Sequence, residues 1–404
     1  MPTTKDATDA TQSSVHLDAV RGAAALVVLL GHNRDFYFSP VLGKPGEALP
    51  PPDGLTPATN SVPQAKGQIA IGNEAVMVFF VLSGYLVGGG ELRALRRNTW
   101  SWRDYLIKRL TRLYVVLIPA LLLGIALDFV GLYLHPSPTS IYAGPPGLPL
   151  FHDISHRLTL PAIAGNAVFL QGARVKTAGT NASLWSLTNE FWYYIAFPVL
   201  LLALRRKQKL WLRCVYLLSF VGIGLLVGSD VSLLFFPWLL GALVSLIPLR
   251  IPQGAAKIMV SVLVLVLPLV FEKVRRTSLP VVGVQWTVAL YFVIVLYLLL
   301  HQTEAARNGV YRSISGFFSR ISYTAYLVHM PVAVFLCAYL NDPWHRWDKT
   351  PRNLTIFLGL NVGLVLFSYL FYLAFEANTD RVRQMLSHRL MRSKHLPTSV
   401  THSG

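Results

Sequence analysis

Long apolar runs, each near the length that crosses a bilayer, alternate along this chain with shorter polar connections. A helix needs about 20 apolar residues to span the hydrocarbon core. Runs of that order fall at 15–37, 69–90, 113–134, 184–204, 210–228, 231–248, 255–271, 280–300, 321–340 and 355–376. The pattern predicts an all-α polytopic bundle of about ten transmembrane helices. The stretch 158–171 (LTLPAIAGNAVFLQ) is apolar but too short to cross, and reads as interfacial or re-entrant. The chain then divides into a polar segment 1–16, a single membrane domain 17–376 and a basic tail 377–404 whose last residues are expected to be disordered.

Composition agrees with this pattern. Of the 404 residues 53% are hydrophobic and 14% charged, with a mean hydropathy of +0.48, where soluble domains carry about 25% charged residues. The formal charge of +17 would suggest nucleic acid in a soluble protein. Here the cations cluster at span ends, so cytoplasmic loops explain them and no nucleic-acid partner is expected. With residue 1 inside and alternating spans, 24 of the 36 Lys and Arg fall on inner segments. That bias places both termini in the cytoplasm of a multi-pass protein of the inner (plasma) membrane. Residues 1–16, with Asp6 and Asp9, lack the basic start of a cleavable signal, so the first run reads as an uncleaved anchor. The two cysteines, Cys214 and Cys337, are read as unpaired small hydrophobes. No metal-ligand spacing is present, and no metal is expected. Two long segments, 39–68 and 135–183, face outward. The first is rich in Pro and Gly, the second holds His135, His152 and His156. Long loops without secondary structure are often functional, and surface connectors are the alternative.

Polar groups inside spans carry the candidate chemistry, because they are costly there. Arg21 and His32 stand eleven residues apart in R-GAAALVVLLG-H. Eleven helical steps return to within ~20° of the same face, about 16 Å along the axis. His32 suits a general base, and Arg21 suits a phosphate. A histidine bonded to a carbonyl and an arginine reaching headgroups are the structural alternative. Arg109 and Arg112, three apart, share a helix face and present two guanidinium forks to a polyphosphate, a carboxylate or lipid phosphate. Glu190 lies in ASLWSLTNEFWYYIAFPVL, where it could orient an imidazole or bind sugar hydroxyls. Trp185, Trp192, Tyr193 and Tyr194 read for the most part as an interfacial belt. SRISYTAYLVHMPV supplies Ser322, Tyr323, Tyr326 and His329, for substrate or for interhelical hydrogen bonds. The second span adds Asn73, Glu74 and Ser83, with Gly84 suited to close helix approach. No phosphate-binding loop, G-x-S-x-G elbow or H-E-x-x-H occurs.

Taken in order, LDAVRGAAALVVLLGH, FFVLSGYL, KRLTRLY, LWSLTNEFWYYIAFP and ISYTAYLVHMP resemble the membrane-bound acyltransferase-3 family, over residues 17 to about 331. The resemblance implies transfer of an acyl group, usually acetyl, from cytoplasmic acyl-CoA to a hydroxyl of a carbohydrate or glycolipid acceptor. No tightly bound cofactor is implied. By position, His32 falls on the family's essential histidine and Arg21 on its motif partner. Arg109 and Arg112 fall on the R-x-x-R implicated in the donor site, and Glu190 on the first carboxylate of W-S-L-x-x-E. Ser83, Trp185, Tyr323 and His329 are the further candidates for substrate binding, His32 and Glu190 for catalysis. Two positions depart from the pattern: Met77 stands where many members carry Asp, with Glu74 one turn earlier as a possible substitute, and Phe191 stands where many carry a second Glu. The expected mechanism is proton abstraction by His32, or a transient acyl-histidine. A transporter or flippase for a glycan or acylated substrate is the competing class. The acceptor and the oligomeric state are left open.

Overall fold

The computed structural model describes residues 11–38, 71–144, 154–275, 277, 279–304 and 308–392. The loop 39–68, His152 and the end of the tail lie outside the described residues. Helices dominate: α1 (Gln12–Tyr37), α2 (Ile71–Ser83), α3 (Gly89–Arg96), α4 (Trp102–Leu134), α5 (Ile154–Arg157), α6 (Leu160–Ala167), α7 (Trp185–Leu204), α8 (Leu210–Leu233), α9 (Phe235–Val244), α10 (Gln253–Arg275), α11 (Val281–Leu299), α12 (Gly309–Leu340), α13 (Pro351–Ala374) and α14 (Thr379–Arg392). Local chemistry sets several starts. Thr11, Ser101, Asn308 and Thr350 each accept the amide N–H three residues on, capping α1, α4, α12 and α13.

Among the described residues nine helices are long and apolar enough to cross a membrane, so the chain is an all-α polytopic membrane protein. The tenth segment, expected over 231–248, is helical only as α9. Ten residues rise about 15 Å, half a bilayer core. Hydropathy cannot show which face of a helix meets protein, and one face of α9 does: Trp238, Ala242 and Val244 are almost fully covered, while Phe236 and Leu243 are exposed. Gly228, at φ 84°, breaks the preceding helix. Close packing explains the short element. A Cβ on Gly84 would lie 1.9 Å from the Trp238 carbonyl oxygen, and one on Gly241 would lie 2.0 Å from that of Val81, so only glycine permits this backbone contact. The chain then returns past Gly89 to Ile251, whose N–H donates to His301 Nε2 at 3.2 Å.

The span expected over 69–90 is continuous as far as Arg96, with a π-helical turn at Gly84–Gly88 joining α2 to α3. Such turns recur at functional sites. The 158–171 stretch contains only the eight-residue α6. The described part of 135–183 is not structureless. Asp128 accepts the N–H (2.8 Å) and hydroxyl (2.7 Å) of Thr180, Arg157 donates to Thr177 Oγ1 at 3.1 Å, and His135 pairs with Asp342 at 2.9 Å. Cys337 is buried, whereas Cys214 is exposed on α8 and does not pack as core.

The start of α1 bonds to the segment that follows α11, through Gln12 N–H to Glu304 O and Ser13 N–H to Gln302 O. Further along α1, Asp18 accepts from Ser319 Oγ of α12 at 2.7 Å. Glu376, after α13, meets Thr324 of α12 and Arg112 of α4. The start of α1 and the end of α13 therefore lie on one face of the bundle. The parallel pair α1 and α12 forms its centre.

Candidate active site

Arg21 and His32 do share one stripe of α1, and α2, α4, α7 and α12 close around it. A cavity of about 220 Å³ runs along the Arg21 end. Arg21, Ser83, Arg109, Arg112, Glu190, Tyr194, Tyr323 and Tyr326 line it, with Val76, Phe79, Phe80 and Leu187 among the apolar walls. Residues from five separate sequence motifs thus meet in one space.

The three arginines have different surroundings. Arg112 forms an ion pair with Glu376 and lies over the Tyr323 ring, 5.0 Å from its centroid. Glu376 is buried, and its second oxygen accepts the hydroxyl (2.5 Å) and N–H (3.2 Å) of Thr324. Arg109 lies over Tyr105 and Tyr194, at 5.6 and 5.5 Å, and its buried Nε has no hydrogen-bond partner. Arg21 makes no hydrogen bond or ion pair with any described residue, although it faces the cavity. Two of the three guanidiniums therefore line this space without a protein acceptor.

Glu190 accepts from the Tyr194 hydroxyl. Ser83 Oγ lies 3.3 Å from that hydroxyl and accepts from Trp238 Nε1 at 3.2 Å. An indole N–H only donates, so protons run in one direction, from Trp238 to Ser83 to Tyr194 to the carboxylate. Tyr193 and Tyr194 are accordingly buried groups rather than belt residues, and Tyr193 donates to Val231 O at 2.6 Å. Trp185 packs edge-on against Phe80, with centroids 6.3 Å apart, and does not line the cavity.

Where the cavity approaches the histidines its wall is Phe79 and Tyr326, in edge contact at 6.2 Å. The Tyr326 hydroxyl is 2.7 Å from Ser186 Oγ. One turn further along α12, His329 Nε2 lies 3.0 Å from His32 Nδ1, with the rings 6° from parallel. His329 Nδ1 lies 3.0 Å from the carbonyl oxygens of both Ala325 and Tyr326. His32 Nε2 faces Gly72, where a Cβ would approach to 3.3 Å.

The structure does not join Glu190 to His32: the carboxylate sits with the arginines. Nor does Glu74 replace the acid absent at Met77. It is two residues from Gly72, about 200° round α2 from the His32 side, and one of its buried oxygens has no partner. Met77 is fully buried core, and Phe191 stacks on Phe169 at 4.3 Å. Among the described residues no group of His, Cys, Asp and Glu could hold a metal ion.

Glu376 escaped the sequence reading because it is a lone acid at the end of a span, with no spacing to mark it. Gly72 carried no signal either. Ser186 lies inside the W-S-L-x-x-E element, one of its unassigned positions.

Comparison with curated proteins and with solved structures returned no match. The family profile for the acyltransferase-3 domain matches residues 15–373, nearly the whole chain and every residue that lines the cavity. The chain belongs to the acyltransferase-3 family, and is a membrane acyltransferase.

Proposed function

We propose that the protein moves an acyl group, in the first place acetyl, from acyl-CoA to a hydroxyl of a carbohydrate or glycolipid. The observation that carries this reading is the pair of guanidiniums without a hydrogen-bond acceptor among the described residues, Arg21 and Arg109, on a cavity whose wall includes Tyr326, a ring 6.0 Å from that of His329, the neighbour of His32. Charge-assisted hydrogen bonds from guanidinium to phosphate are among the strong ones. A desolvated guanidinium whose N–H groups find no acceptor is costly until a ligand supplies one. Coenzyme A offers phosphates for this end and a narrow pantetheine arm for the apolar walls beyond it. Extended, that arm can cover the roughly 16 Å that separates Arg21 from His32 along α1.

In this scheme the Arg21 face is cytoplasmic, as the positive charge bias favours, and the membrane is the inner (plasma) membrane. Donor phosphates sit against Arg21 and Arg109, while Arg112 is held by Glu376 as a wall of the site. The thioester passes between Phe79 and Tyr326. His32 removes the proton of the acceptor hydroxyl, whose oxygen attacks the thioester carbon, and the thiolate of CoA leaves. General-base assistance contributes about 10²–10⁴-fold. Glu190, held by Tyr194, balances the charge of the arginine cluster and orients the donor.

The test is His32→Ala in the native host, with mass spectrometry of surface glycans and a membrane immunoblot of the protein. Loss of O-acyl groups with the protein present is expected. Unchanged O-acylation at normal protein level would end the proposal.

A further inference from the structure

We infer that His329 is a positioning residue that holds His32 in its Nδ1–H tautomer and leaves Nε2, the nitrogen facing Gly72, as the one that takes the acceptor's proton. The inference rests on the proposed acyl transfer for its chemistry, though the tautomer can be measured without it.

Three 3.0 Å contacts determine the direction of every bond in the pair. Ala325 O and Tyr326 O can only accept, so His329 Nδ1 carries a hydrogen. A neutral imidazole has a single N–H, so His329 Nε2 is an acceptor. The hydrogen between the two rings therefore belongs to His32 Nδ1. The alternative, an imidazolium at His329 donating to His32, would bury a charge among backbone carbonyls with no carboxylate in contact, at a cost far above that of the neutral arrangement. Which nitrogen of a histidine reacts is set by the bond that the other makes. Here that bond places the lone pair on Nε2.

Gly72 completes the arrangement. A side chain there would begin 3.3 Å from Nε2, and glycine keeps it away from the nitrogen that a reacting hydroxyl must approach. When Nε2 takes the hydroxyl proton, the oxygen–carbon bond forms and the carbon–sulfur bond breaks. The departing thiolate then recovers the proton from Nε2. In between, His32 is an imidazolium whose Nδ1–H still points at the His329 lone pair, a charge-assisted bond stronger than the neutral one. The base is thus oriented by a third group, in this case a second imidazole in place of a carboxylate.

The experiment uses the full chain, labelled with ¹⁵N-histidine, in lipid nanodiscs, and His32 resonances identified by their loss in His32→Asn. Nitrogen shifts of the Nδ1–H tautomer are expected for wild type and for His329→Gln, whose amide oxygen can accept the same hydrogen. A mixture of tautomers is expected for His329→Leu. With acetyl-CoA and acceptor-bearing native membranes, His329→Leu is expected to lower kcat by about 10–100-fold, the usual cost of removing a group that orients a functional imidazole. The KM for acetyl-CoA should stay within about twofold, and His329→Gln should restore much of the rate. An Nε2–H tautomer in wild type overturns the inference, as does an unchanged tautomer in His329→Leu. Should His329→Leu fail to fold, the wild-type and His329→Gln spectra decide it. If wild type shows the Nδ1–H form but consumes no acetyl-CoA, the proposed function fails and the tautomer assignment stands.

Discussion

The two ends of the Arg21–His32 stripe satisfy their polar groups in opposite ways. At the histidine end the neighbours commit one nitrogen after another, until a single lone pair, beside Gly72, is left without a hydrogen-bond partner among the described residues. At the arginine end Arg112 forms a direct ion pair with Glu376, whereas Arg21 and Arg109 face the cavity with no hydrogen-bond acceptor among the described residues. The first arrangement is complete without a ligand and prepares one atom to react. The second leaves guanidinium N–H groups without an acceptor beside Glu190 and favours an anionic ligand that can take them. Two jobs, orienting a base and binding a charged donor, call for these two arrangements, and the rings of Phe79 and Tyr326 lie between them.

The largest effect that would test this contrast comes from removing both free cations. Arg21→Ala with Arg109→Ala should raise the KM for acetyl-CoA by at least about a hundredfold, since each charged hydrogen bond contributes ~1.5–3 kcal/mol. Steady-state kinetics in native membranes would read it, and an unaltered KM would dissolve the distinction between the two ends. Next is Glu376→Gln. It strips Arg112 of its counter-charge and weakens two bonds from Thr324, and should lower stability by about 2–3 kcal/mol, within the range for charged hydrogen bonds. Thermal unfolding in detergent measures this. If Glu376→Gln is as stable as wild type but shifts the acetyl-CoA KM as the arginine pair does, Arg112 belongs with the free cations after all. The smallest effect is that of Tyr194→Phe, which removes the hydroxyl between Ser83 and Glu190. About 1 kcal/mol, or a roughly fivefold loss in kcat/KM, is expected. A loss above a hundredfold would make this hydroxyl part of the chemistry instead of a support for the carboxylate.

Much of the bundle was legible because a span is a one-dimensional property: length and hydropathy suffice. Nine of the ten predicted segments are long helices, and the exception, 231–248, is instructive. One face of it, with Trp238, Ala242 and Val244, packs against protein, and the glycines that let α9 touch α2 are meaningful only as a pair, Gly84 with Gly241, from distant parts of the chain. The 135–183 segment was read as loop for a similar reason. Its order depends on Asp128 meeting Thr180, a side-chain contact across 52 residues that no local pattern announces. At the site, the motif residues Arg21, Ser83, Arg109, Arg112, Glu190 and Tyr323 do converge on one cavity. Trp185 stands behind the wall, and Tyr194, read as belt, is on it.

From the amino-acid order alone came the membrane class, the stripe that aligns Arg21 with His32, and the family resemblance, since each depends on composition or on regular helical spacing. The tertiary structure decided which polar group meets which. It set His329 against His32, gave Arg112 a direct ion pair with Glu376, and put Glu190 with the arginines instead of the imidazole. Those outcomes turn on distances of about 3 Å between helices far apart in the chain. A hydrogen bond responds to that distance and to direction, and neither is encoded in spacing along a single helix.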